Sequence, residues 1–294
     1  MFLKSPVPDK NRIPESELVL NKDGSVYHLN LKPENIAETI ITVGDPGRVY
    51  KISQHFEEME FEMNFREFIT HTGFFKGKRI TVLSTGMGTD NIEIVLTELD
   101  ALVNIDLKTR LEKKNKRRLK IIRLGTSGSL QEDIPVGSHL VSEYAIGFDM
   151  LMHFYNLTQT NFENSISDAL SKKINLPFRP YCVKGSEILN EQFGFDMVQG
   201  NTVTCPGFYA PQGRKIRLEL KLKDFMEELN YFHEENFWLT NFEMETAGYY
   251  AMGRLLGHEV ISLNAIISNR IKNEFAENPN AIIDKLIKKV LNRI

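Results

Sequence analysis

Apolar residues at Ile92, Val95, Leu96, Leu99, Leu102 and Val103 fall at i, i+3, i+4, i+7, i+10 and i+11, the spacing of one helical face. The pattern predicts a helix opening at Asp90, with Asp90 as N-cap and Glu93 three residues on completing a capping arrangement. Elsewhere the period shortens. Thr39–Val43, Ile80–Leu83 and Ile121–Leu124 are short runs rich in β-branched residues, and each leads into a glycine-bearing stretch: Gly44-Asp-Pro-Gly-Arg48, Ser84-Thr-Gly-Met-Gly-Thr89 and Gly125-Thr-Ser-Gly128. His139–Ser142 and Val260–Leu263 read as further strands, and helices are expected at Met244–Leu256 and from about Ala281. Strands alternating with helical stretches predict an α/β sheet whose ligand crevice lies beyond the strand C-termini. Residues 1–25, rich in proline and charge without sustained periodicity, are expected to form an extended arm ahead of one domain at 26–294.

The chain has 294 residues, 41% hydrophobic and 26% charged, with 36 basic against 39 acidic side chains and a net charge of −3. Such balance argues against a dedicated nucleic-acid or membrane partner. No apolar run approaches the ~20 residues that span a bilayer. The two cysteines, Cys182 and Cys205, form no CxxC pair, which leaves a disulfide framework or zinc ribbon without its ligands. A cytoplasmic protein is expected. One local exception is Lys108–Lys120, where eight basic residues accompany only Glu112. It reads either as a polyanion site or as a solvated helix-to-strand connection, and the lack of interleaved aromatics favours the latter.

Glycine turns at strand ends let backbone N–H groups approach an anion, and a following helix N-terminus adds a favourable dipole. Arg48, Thr85, Thr89, Arg123 and Thr126 sit in or beside these turns. None is a Walker A loop, the dinucleotide fingerprint fails at Asn91, and Gly125–Gly128 is not a nucleophile elbow. His233-Glu-Glu lacks the second histidine of a zincin, so no metal centre is expected. Glu243 and Glu245, at i and i+2 before a helix, either cap that helix or grip vicinal sugar hydroxyls.

Taken in order, Val43-Gly-Asp-Pro-Gly-Arg48, Ser84-Thr-Gly-Met-Gly88, Ile122-Arg-Leu-Gly-Thr-Ser-Gly128 and Asn241-Phe-Glu-Met-Glu-Thr246 resemble the motifs of the hexameric-type nucleoside phosphorylases. Phe208-Tyr-Ala-Pro-Gln-Gly-Arg214 is similar to the segment by which the pyrimidine-specific branch of that family reads uracil. The resemblance implies a single α/β domain with a central mixed, twisted sheet or partial barrel flanked by helices. It implies a pentosyltransferase that cleaves uridine with inorganic phosphate to uracil and ribose 1-phosphate. Phosphate would be held by Gly44, Arg48, Arg123 and Thr126, with Arg66 supplied by a neighbouring subunit. Ribose would be held by Glu243, Met244 and Glu245, with His28 reaching across a dimer interface. Phe208, Gln212 and Arg214 would hold the base, with Arg123, Gln212 and Arg214 the groups that act in catalysis. No cofactor is implied beyond phosphate as co-substrate. An intersubunit cation, bound near Glu67 in some members, is doubtful because Asn91 stands where they carry serine. Asn269 occupies the slot in which purine-specific members place an aspartate, which favours a pyrimidine. The alternatives are a purine phosphorylase or nucleosidase on the same fold, or a catalytically silent nucleoside-binding homologue. The dimer is expected over the hexamer.

Overall fold

The computed structural model describes residues 11–174 and 176–294. Its main sheet has eleven strands. In chain order these are β1 (Thr39–Val43), β2 (Glu58–Phe65), β3 (Phe68–Phe75), β4 (Lys78–Ser84), β5 (Lys120–Ser129) and β6 (His139–Gly147). They continue with β7 (Tyr181–Lys184), β8 (Val198–Thr204), β9 (Asn241–Glu243), β10 (Glu259–Asn269) and β11 (Glu274–Phe275). The spatial order is β11-β10-β6-β8-β9-β5-β1-β4-β3-β2, with β7 on β6. Strand β10 also pairs with β5, in parallel from Glu259↔Lys120 to Asn269↔Ser129. That extra pairing closes β5, β9, β8, β6 and β10 into a ring. Three of its pairs (β5–β10, β6–β8 and β8–β9) are parallel and two (β5–β9 and β6–β10) antiparallel, so the sheet is mixed and forms a partial barrel.

The β-branched runs become β1 and the cores of β4, β5 and β10, fully buried between helices, as such runs must be to satisfy both faces. Around the sheet lie α1 (Gly47–Ser53), α2 (Thr89–Asn104), α3 (Asn161–Lys173), α4 (Glu187–Phe193), α5 (Phe225–Asn230), α6 (Thr246–Leu256) and α7 (Pro279–Leu291). The stripe predicted for α2 is its buried face: Ile92, Val95, Leu96, Leu99, Leu102 and Val103 are at most 1% exposed.

Three expectations need correction. Helix α2 is capped by Gly88 at φ 94° and not by Asp90, which falls in the first turn. Gly125–Gly128 is not a turn: β5 runs straight through it to Ser129, because its small residues leave room inside the ring. Helix α6 starts at Thr246, later than Met244, since Glu243 still belongs to β9.

Residues 1–10 of the expected arm lie outside the described residues. Residues 11–25 run as turns against the body, where Ile13 N–H donates to Arg110 O (2.9 Å) and Arg110 Nη1 donates to Leu18 O (2.6 Å). Within the basic stretch Lys113 Nζ donates to Val103 O, Lys116 pairs with Glu112, and Arg118 pairs with Glu259.

Candidate active site

A cavity of about 610 Å³ opens where β1, β4 and β5 deliver their glycine segments. Its lining takes in Gly44, Arg48, Arg123, Thr126, Glu243, Met244, Glu245, Phe208, Gln212 and Arg214. Ten of the twelve residues expected in the site are therefore gathered in one space. The other two, Arg66 and His28, are not on its wall. They lie near each other, the Arg66 guanidinium 5.3 Å from the Tyr27 ring and that ring edge-on against His28. Arg66 is exposed and holds φ 54° in the β2–β3 turn, while His28 Nδ1 lies 2.7 Å from the Glu98 carboxylate.

Arg123 is the electrostatic centre. Its Nη2 lies 2.6 Å from Glu245 and 2.8 Å from Glu243, and its Nη1 donates to Ser262 Oγ (3.2 Å) and Asn264 Oδ1 (3.0 Å). Burial works against its charge, but the two carboxylates outweigh burial and raise its pKa further. This folded-back pose needs Gly125, since a Cβ there would stand 2.5 Å from the guanidinium carbon.

The two glutamates, both on the cavity wall, hold different partners. Glu243 caps α6: its carboxylate accepts from the backbone N–H groups of Glu245 and Thr246, and from Thr204 Oγ1 at 2.7 Å. Glu245 is buried, accepts from Gly88 N–H at 2.8 Å, and reaches the cavity. Burial pushes the pKa of Glu245 up, with the Glu243 charge adding to it and Arg123 pulling the other way.

At the entrance to α1, Arg48 stands 3.9 Å from Asp45, too far for a strong pair, and burial lowers its pKa. The third cluster comes from the loop before α5. Arg214 stacks 3.7 Å from the Phe208 ring centroid and donates to Gln212 Oε1 (2.5 Å) and to Phe208 O (2.6 Å). Burial, with Arg270 nearby, pushes the Arg214 pKa down to about 10.

Arg270 is a residue that the sequence reading missed. It donates to Gln212 O (3.1 Å) and approaches Phe242 from the same distance as Arg214, 5.6 Å. Its neighbour Asn269 does not face the cavity. The Asn269 amide is consumed by Gln131 O, Ile134 O and the N–H groups of residues 271 and 272, and Ser268 lines the wall in its place. Glu67 also lines the cavity and accepts from Asn91 Nδ2 at 3.4 Å. Among the described residues there is no cluster of three or more histidine, cysteine or carboxylate side chains that could hold a metal ion.

A cavity that gathers Arg48, buried Arg123, an acid pair and an aromatic–amide–guanidinium cluster beside a closed strand ring defines an α/β enzyme. The chain belongs to the phosphorylase superfamily, whose family model matches residues 38–292. Uridine phosphorylase of Thermococcus kodakarensis is 27% identical over 259 residues, 87% of this chain and 82% of that one. A purine nucleoside phosphorylase of the DeoD type from Caldanaerobacter subterraneus subsp. tengcongensis is also 27% identical, over 84% of this chain and 89% of its own. Among solved structures, a Trypanosoma brucei nucleoside phosphorylase described as showing uridine phosphorylase activity superposes with a TM-score of 0.86. It is 29% identical and covers 94% of this chain and 98% of its own.

Proposed function

We propose that this protein is a pentosyltransferase that cleaves uridine with inorganic phosphate, giving uracil and ribose 1-phosphate. The observation that carries this reading is the convergence, in one cavity, of Arg48 and Arg123 beside glycine segments with the Phe208–Gln212–Arg214 cluster. In this reading Gly44, Arg48, Arg123 and Thr126 hold phosphate. Met244 and Glu245 hold the ribose, and Glu243 fixes the helix that carries them.

The chemistry follows from where charge develops. Breaking the C–N glycosidic bond leaves a cationic, oxocarbenium-like sugar and an anionic uracil. The leaving anion is stabilised by Arg214, with Gln212 both donating to and accepting from the base edge. Phosphate held in line is itself the nucleophile, so positioning takes the place of a side-chain nucleophile. Buried Glu245, paired with Arg123, orients the ribose hydroxyls and lies close to the developing positive charge.

The proposed assembly is a homodimer in which Arg66 and His28 of one subunit complete the site of the other. The grouping of these two residues away from their own chain's cavity supports it. A cytoplasmic setting is proposed as well, consistent with the buried, unpaired Cys182 and Cys205.

The test is a spectrophotometric screen of uridine, deoxyuridine, thymidine and inosine with and without phosphate. Uridine cleavage that disappears in phosphate-free buffer is expected. Undiminished cleavage without phosphate would make the enzyme a hydrolase, and faster turnover of inosine would overturn the pyrimidine assignment.

A further inference from the structure

A second cavity, of about 420 Å³, is built on the same loop that carries the Phe208–Gln212–Arg214 cluster. Those three side chains line the candidate active site, whereas Pro206, Ala210 and Pro211, their neighbours in the chain, line this other space. Buried Phe148 and Phe225, with ring centroids 5.8 Å apart, also face it. Every lining side chain but Lys221 is apolar. Small-molecule sites run from about 300 to 1,000 Å³ and are mostly apolar with few polar groups, which is the character of this chamber. A wall of apolar side chains gives water few partners, so an apolar occupant is favoured.

One wall comes from residues 215–223, which form no helix or strand and make no backbone–backbone hydrogen bond among the described residues. Apolar and charged residues alternate strictly along this segment from Lys215 to Lys223. Leu220 and Leu222 line the chamber, while Ile216 and Leu218 stay 75% and 72% exposed. Its one acid, Glu219, is paired with Lys215 at 2.6 Å, so Arg217, Lys221 and Lys223 leave the segment with a surplus of positive charge. A stretch without backbone bonds opens at low cost and provides a way in. An apolar chamber beside a cationic segment selects a ligand with an apolar body and an anionic end.

We propose that this chamber binds a small apolar anion, an aromatic or aliphatic body bearing one carboxylate or sulfonate, and that its occupation steadies the loop that presents Gln212 and Arg214. Gly213, at φ 65°, stands between those two residues, and a Cβ on it would collide with Met226 Cγ, so α5 packs directly onto the turn that aims them. Phe225, next to Met226 on α5, lines the chamber, and an occupant there holds α5 against the turn. The steadying effect rests on the uridine-cleaving reading of the neighbouring cavity; the chamber as a binding site does not.

The probe is anilinonaphthalene sulfonate, an aromatic body with one anionic group, titrated by its fluorescence. One molecule per chain should bind, and saturating uracil with phosphate should tighten it by about fivefold, with the probe tightening uracil by the same factor. Ala210→Phe and Leu222→Trp each fill the chamber and should weaken the probe by about tenfold or more. Lys221→Gln should weaken it by about threefold, the scale of an exposed charge pair, and leave uncharged phenylnaphthylamine unaffected. Absence of binding, displacement of the probe by uracil and phosphate, or undiminished binding to both filled variants overturns the site. Equal losses of the charged and uncharged probes in Lys221→Gln overturn the preference for an anion. A probe affinity indifferent to uracil, in a parent that cleaves uridine, overturns the steadying of the loop. A parent that cleaves no uridine removes the reading of the neighbouring cavity, while the filled variants still decide whether the chamber is a site.

Discussion

Replacing Gly125 by alanine tests the organisation of the site without touching a polar atom. The new Cβ would fall 2.5 Å from Arg123 Cζ and closer still to Nη1, so the guanidinium has to leave its seat. A free side chain would move at little cost, but this one is held by Glu243, Glu245, Ser262 and Asn264. Displacing it leaves two buried carboxylates without their cation, for which a loss of about 3–5 kcal/mol is expected. At roughly 2–3 °C per kcal/mol for a domain of this size, Tm should fall by about 6–15 °C. If Arg123 holds phosphate as proposed, the same displacement removes that cation, and about 3 kcal/mol of transition-state stabilisation corresponds to a loss of more than a hundredfold in kcat/KM for phosphate. Differential scanning fluorimetry and initial rates at varied phosphate read the two effects separately. A Gly125→Ala protein with parental Tm and parental phosphate dependence would refute the argument that Arg123 depends on this glycine.

Gln212→Ala and Arg214→Ala should each lower kcat/KM for uridine by one to two orders of magnitude, with Arg214→Ala the worse because a charge-assisted bond to the leaving base is lost. Competition between uridine and inosine measures both. Glu163→Gln should cost about 2 kcal/mol at neutral pH, less than a fully buried pair because Arg254 keeps 31% side-chain exposure. Burial opposes the Glu163 charge, but Arg254 and the N–H groups of Thr160 and Lys184 hold its pKa below the usual carboxylate value. Its contribution is therefore complete above that value and is lost as the pH falls through the folded pKa, so urea midpoints of parent and variant should converge in acid. Mixing Arg66→Ala with Arg123→Ala protein under verified subunit exchange should restore activity towards half per mixed dimer. If no activity returns, the two arginines serve one chain's site and the shared-site proposal falls.

Where side-chain size and branching decide local structure, the sequence was readable. The runs at 39–43, 80–83 and 121–124 are buried strands because their β-branched residues cannot be exposed cheaply, and the α2 stripe is a core face for the same reason. The site was readable where glycine and arginine co-occur, as at Gly44–Arg48. It was not readable where small residues serve the interior of the ring. Gly125 and Gly128 look like a turn in one dimension, yet they clear space beside a strand for Arg123 and for Ser268. Asn269 carries a polar side chain in the expected slot, but four local hydrogen bonds turn it away from the cavity. Arg270 left no signal at all, because its importance comes from a contact with Gln212, a residue 58 positions earlier.

Closure of the ring also has a consequence in time. Arg123 and its partner Glu245 are 122 residues apart in the chain. At about 5–20 residues per second of synthesis, roughly 6–24 s separate the emergence of the arginine from that of the carboxylate which neutralises it. Through that interval β5 can pair with β1 and β4 can join them, but a cation destined for the interior has no counter-charge and neither β9 nor β10 exists to shut the ring. The N-terminal half is thus born with its most buried charge exposed, and the site becomes whole only once β9 and β10 have emerged.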